Sequence, residues 1–101
     1  MYAVIFTAKI KNLDEHYSKT AKLMREKAMS DYGCTAFNST TEDEHEIAVS
    51  YWPDLESIQA WKQDKDHLIA QHSGREAWYE SYQVDVVKIE RSYSFNLDNS
   101  L

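Results

Sequence analysis

Apolar and polar positions alternate at the start of the chain. Tyr2, Val4, Phe6, Ala8 and Ile10 fall on one face of an extended segment, and Ala3 and Ile5 on the other. Apolar residues on both sides predict a strand covered twice, by helices on one face and by a second layer on the other. The period then changes. Tyr17, Ala21, Met24 and Ala28 recur at i, i+4, i+7 and i+11, which predicts a helix over Leu13 to Tyr32 with one apolar stripe. Asn12 is placed to cap it, with Glu15 at the N3 position, and Gly33 supplies the stop.

Thr-rich Cys34 to Thr41 predicts a strand, Glu42 to Glu44 an acidic turn, and Glu46 to Trp52 a partner strand with Ile47, Val49 and Tyr51 on one face. The short turn makes the two an antiparallel hairpin. Pro53 ends the second strand and Asp54 caps a helix on which Leu55, Ile58 and Trp61 share a face. Asp64 to Asp66 interrupts that pattern, and Asp66 to His72 forms a second helical piece. Gly74 is expected to break it, with a further turn or two over Arg75 to Tyr82. Gln83 to Phe95 reads as a long last strand, followed by a polar, frayed tail from Asn96 to Leu101.

The order β-α-β-β-α-β predicts an α+β, ferredoxin-like domain over residues 1–95: a four-stranded antiparallel sheet with its helices on one face. The other sheet face remains apolar, which predicts a homodimer formed through it. A long last strand could cross into the partner.

Composition narrows the function classes. The 101 residues suffice for one domain with one modest core. Aromatic residues make up 13%, including 7 Tyr and 3 Trp, so the surplus must fill a core, a pocket or an interface. The net charge is -6 and no basic stripe is present, which argues against nucleic acid as a partner. No apolar run reaches the roughly 18 residues of a membrane span. The first residues lack the basic start of a signal peptide, so a cytoplasmic location is expected. The single cysteine, Cys34, excludes an internal disulfide and a cysteine-based zinc site, and its setting predicts a small buried residue.

Candidate chemistry concentrates between Tyr51 and Tyr82. Trp61 on the apolar helix face serves either as core or as a pocket wall with its indole N–H aimed at a ligand. His67 and His72 stand five apart, which does not place both on one helix face, and no metal site is expected. His67 suits a cap or a pocket base, and His72 a helix end. Arg75 holds either an anionic ligand or one of Glu76, Glu80 and Asp85. Trp78, Tyr79 and Tyr82 form an aromatic patch assigned to core or dimer interface ahead of a ligand cage. Tyr51 and Trp52 point to opposite faces. His16 and His45 sit in polar surroundings and are expected to be exposed.

From Ala3 to Phe95 the chain resembles the antibiotic biosynthesis monooxygenase family. The most specific part is SYWPDLESIQAWKQDKDHLIAQHSGRE, in which Trp61, His67, Gln71 and Arg75 fall on matching positions. The resemblance implies a homodimer whose two sheets form a shared α+β barrel. It also implies oxygenation of a phenolic or quinol-like small molecule by molecular oxygen, without metal, flavin or other cofactor. Such chemistry requires a dry pocket, a base for the phenol and a donor for the developing anion. The family's oxygenases use an Asn, a Trp and a Tyr. Here Trp61 matches the Trp, Ser57 stands at the Asn position and His67 at the Tyr position. Trp61 and His67 are therefore the expected catalytic pair, with Ser57, Tyr51, His72 and Arg75 as substrate-binding residues. A non-catalytic, small-molecule-binding dimer is the alternative. A haem-degrading branch of the family implies an axial His, for which His67 or His72 is available, with Thr7 in place of its strand-one Asn.

Overall fold

The computed structural model of the chain describes residues 1–97. Its elements run β1 (Tyr2–Ile10), α1 (Glu15–Asp31), β2 (Ala36–Glu42), β3 (His45–Trp52), α2 (Leu55–Lys62), α3 (Lys65–Ser73), a π-helical turn (Gly74–Trp78) and β4 (Tyr79–Lys88). The four strands form one sheet in the order β2-β3-β1-β4, and every neighbouring pair is antiparallel. This is the ferredoxin-like α+β arrangement.

The register fixes the two sheet faces. Tyr2 pairs with Trp52, Val4 with Ser50, Phe6 with Ala48 and Ala8 with Glu46. Across the other edge of β1, Val4 faces Val86, Phe6 faces Val84 and Ala8 faces Tyr82. These residues share the helix-covered face, because Val4 and Trp52 pack with Met24 and Ala28 of α1 and Ile58 and Trp61 of α2. Trp52 is wholly buried and anchors this core. Burying a side chain of this class contributes about 1.5–3 kcal/mol. Ala3, Ile5, Ile47, Val49, Tyr51 and Val87 occupy the opposite face by alternation.

The stop of α1 and the cap of α2 follow the sequence, and the cap of α1 does not. Asp14, not Asn12, is the N-cap: its side chain accepts from the Tyr17 backbone N–H at 2.8 Å. Asn12 is already engaged, since its backbone N–H and that of Lys11 both donate to the Trp78 carbonyl. Gly33 stops the helix at φ +82°, a left-handed conformation that favours glycine. Asp54 caps α2 through the Ser57 backbone N–H at 2.8 Å. Asp64 caps α3 through that of Asp66, also at 2.8 Å. The Asp64 carboxylate also ties the helices together: Lys27 Nζ lies 3.1 Å from it and 2.7 Å from Asp66, and Tyr32 donates to it at 2.6 Å.

Two expectations for the C-terminal third are corrected. Gly74 does not break the helix. It keeps helical dihedrals, φ -58° and ψ -49°, and the chain continues into one wider π turn that buries Trp78. β4 begins at Tyr79, four residues earlier than expected, and ends at Lys88 rather than at Phe95. The reason is the length of β1. Lys88 pairs with Tyr2, and only Ile89 N–H donating to the Met1 carbonyl follows, so no neighbour remains to extend the ladder. Tyr93 and Phe95 lie beyond the sheet, 84% and 80% exposed. The expected tail begins in the described part at Asn96 and, from residue 98, lies outside it. Among the described residues no helix is long and apolar enough to cross a membrane.

Candidate active site

A cavity of about 550 Å³ lies between the helices and the inner sheet face. Its floor is Val4, Phe6, Ala48, Val84 and Val86, and aromatic residues from α1, β2, α2, the π turn and β4 wall it. The Phe6 ring is 5.4 Å from Tyr79 and 5.7 Å from Tyr82, and Tyr17 meets Trp78 edge-on at 5.3 Å. The patch of Trp78, Tyr79 and Tyr82 thus borders the cavity. Gly74 is what lets Tyr79 fold back: a Cβ there would stand 3.1 Å from Tyr79 Cδ2.

One carboxylate points into this apolar space. Glu46, at the second position of β3, is 6% exposed. Tyr17 donates to its Oε1 at 2.5 Å, and Tyr79 reaches Oε1 at 3.2 Å and Oε2 at 3.4 Å. Burial, reinforced by the hydrogen bond and charge of Glu46, pushes the Tyr17 hydroxyl up to about 12. Burial pushes Tyr79 up as well, with the Glu46 charge adding to it. Both phenols therefore remain protonated donors near neutral pH. Sequence reasoning passed over Glu46, although the signal was present: alternation places it on the face of Trp52, whose size marks that face as the core.

His67 lines another part of the cavity. Its ring packs edge-on against Trp61 at 4.3 Å. Burial lowers its pKa to about 4, so the ring is neutral at pH 7. Gln71 Nε2 lies 3.3 Å from Nδ1. Trp61 is buried and also lines the cavity, but its indole N–H is committed, donating to the Met24 carbonyl at 3.2 Å. Trp61 is thus both core and wall.

The other expected site residues are not brought together. Ser57 belongs to the N-terminal turn of α2, where it hydrogen-bonds Asp54. Tyr51 faces away from the helices, paired with Ala3 and Ala36. His72 is exposed. Arg75 is exposed too and donates to the Tyr82 hydroxyl at 3.2 Å, while Glu80 pairs with Lys9 at 3.1 Å. Thr7, paired with Ile47 and Gln83, also lies on the sheet face away from the cavity. Cys34 is buried and its thiol pKa is raised by burial, so it is structural. Among the described residues no group of three His, Cys, Asp or Glu side chains is arranged to hold a metal ion.

No protein-family model matches the chain. A curated relative does: YqjZ, an uncharacterised protein of Bacillus subtilis (strain 168), is 38% identical over 95 residues, covering 93% of this chain and 83% of YqjZ. The chain belongs to the YqjZ family. Solved structures show which fold this YqjZ-family protein has. Rv0793 from Mycobacterium tuberculosis superposes with a TM-score of 0.78 at 11% identity, over 92% of this chain and 98% of that one. SnoaB from Streptomyces nogalater, described as a cofactor-independent oxygenase, gives 0.75 at 8% identity, over 90% and 94%. A protein from Nitrosomonas europaea proposed as an antibiotic biosynthesis monooxygenase gives 0.74 at 15% identity, over 90% and 100%. The fold of the YqjZ-family chain is that of the antibiotic biosynthesis monooxygenases.

Proposed function

We propose that this protein is a cofactor-independent monooxygenase that acts on a phenolic or quinol-like small molecule. The observation that carries the reading is the cavity: about 550 Å³, walled by aromatic rings and suited to a flat aromatic ligand. The likeness to SnoaB supports the reaction class. The chemistry balances without an external reductant. A hydroquinone supplies all four electrons to O2, one oxygen atom enters the ring to give a hydroxyquinone, and the other leaves as water.

Within this reading Trp61 forms one wall and His67, a neutral ring with one N–H, offers a hydrogen bond to the oxygen that gains charge. Dimerisation through the outer sheet face belongs to the same proposal. Ile47 is 46% and Val87 37% exposed there, and Tyr93 and Phe95 extend past the sheet where a second copy would bury them. A second reading, a dimer that binds a small molecule without transforming it, is favoured by the committed Trp61 N–H and by Ser57 lying outside the cavity.

Oxygen uptake by chelator-dialysed protein, measured over a panel of hydroquinones and polyphenols, decides between the two. Uptake above the buffer blank that falls in His67→Ala supports the oxygenase. A ligand that raises the melting temperature but is recovered unchanged supports the binder.

A further inference from the structure

We infer that Glu46 is the group through which the cavity recognises a neutral hydroxyl on its ligand, and that it receives the proton of that hydroxyl during oxygenation. The inference rests on the reading that a phenolic molecule occupies the cavity. Glu46 is nearly fully buried, yet it lines the cavity. No cation lies within ion-pair distance of it: among the described residues the ion pairs are Lys9 with Glu80 and Lys27 with Asp64 and Asp66, and Arg25, which lines the same cavity, stands farther off. A buried carboxylate without a cation lowers stability unless hydrogen bonds replace its hydration. Two tyrosines do so unevenly. Oε1 accepts from Tyr17 at 2.5 Å and from Tyr79 at 3.2 Å, whereas Oε2 has only Tyr79 at 3.4 Å. That last contact is long for an O–H···O bond, so Oε2 keeps acceptor capacity for a ligand.

Acceptor chemistry sets the selectivity. A carboxylate binds an O–H, gains nothing from an ether, and repels an anion. Tyr17 and Tyr79 hold Glu46 in place and act as positioning residues. In the reaction, the phenolic O–H breaks, its electron pair stays on the substrate oxygen, and the proton passes to Oε2 while the ring gives electrons to O2. The ring carbon forms a C–O bond to O2, its C–H proton passes to the outer oxygen as the O–O bond breaks and hydroxide leaves, and the Oε2 proton then converts that hydroxide to water and restores the carboxylate.

Calorimetric titration with 2-naphthol, 2-methoxynaphthalene and 2-naphthoate tests this, with thermal melts reporting folding of each variant. Wild type is expected to bind 2-naphthol about tenfold or more tightly than either analogue, the range of a hydrogen bond to a charged group. Glu46→Gln is expected to cut that preference to less than about threefold and to improve 2-naphthoate binding. Tyr17→Phe, which leaves the carboxylate in place but frees it to move, is expected to fall between the two and carries the test if Glu46→Gln does not fold. A preference that persists in folded Glu46→Gln, or wild-type binding without preference, overturns the inference and leaves the cavity reading intact. Failure of wild type to bind any of the three at about millimolar concentration overturns both.

Discussion

Burial of His67 makes a quantitative prediction about acid stability. Its pKa is about 4 in the fold because burial disfavours the imidazolium, against 6.5 for a solvated ring. A proton therefore binds the unfolded chain more readily than the folded one. Stability rises with pH in this window, so the contribution is intact above about pH 6.5 and is lost as pH falls towards about pH 4. Integrating between those limits, going from about pH 7.5 to about pH 5 costs about 2 kcal/mol, and the full loss below about pH 4 is about 3 kcal/mol. Urea denaturation at several pH values measures it, with His67→Gln as the reference that carries every other titration but this one. Wild type should lose about 2 kcal/mol more than His67→Gln over that range. Equal losses in both proteins would mean that the ring is solvated in the fold.

Other predictions follow from particular contacts. Trp61→Phe removes the N–H donated to Met24 and part of a buried ring, and should cost about 2–3 kcal/mol in the same denaturation assay. Gly74→Ala should fold but lose about 1 kcal/mol, because Tyr79 must retreat from a Cβ and loosen its hold on Glu46; a weaker 2-naphthol preference in the titration above would accompany it. Lys27→Met should raise the Asp64 pKa from about 2 towards its ordinary 3.8, although the Tyr32 hydrogen bond, the largest cause of the depression, remains; NMR titration reads it. In wild type that carboxylate's contribution is present above about pH 4 and disappears as pH falls through about 2, well below the His67 window. On the outer sheet face, Val49→Lys should convert a dimer to a monomer in sedimentation velocity, and an unchanged sedimentation coefficient would remove that face as the interface.

Much of the fold was legible because it rests on local periodicity. The alternation in β1 and β3, the stripe on α1, and the Asp54 and Gly33 signals all act within a few residues, and each produced the element it predicted. Misplaced boundaries came from tertiary pairing. Gln83 to Phe95 has strand composition throughout, but a strand needs a neighbour, and β1 starts at Tyr2. Gly74 looked like a stop because glycine usually is one near a helix end; here it gives space to the Tyr79 ring. For the site, His67 and Trp61 emerged from spacing and resemblance, and both line the cavity. Ser57, Tyr51, His72 and Arg75 did not, because closeness along the chain says little about which sheet face or helix side a residue takes. Glu46 was missed for the opposite reason. Its partners, Tyr17 and Tyr79, come from α1 and the start of β4, and only the assembled sheet brings the three together.

Incubation of chelator-dialysed, flavin-free protein with a hydroquinone it binds, under 18O2, tests the oxygenase reading most directly. One labelled oxygen atom in the hydroxyquinone product, at a rate above the protein-free blank and reduced in Glu46→Gln and in His67→Ala, is the predicted result. A bound hydroquinone recovered unlabelled and unoxidised would contradict it and leave the protein as a binder.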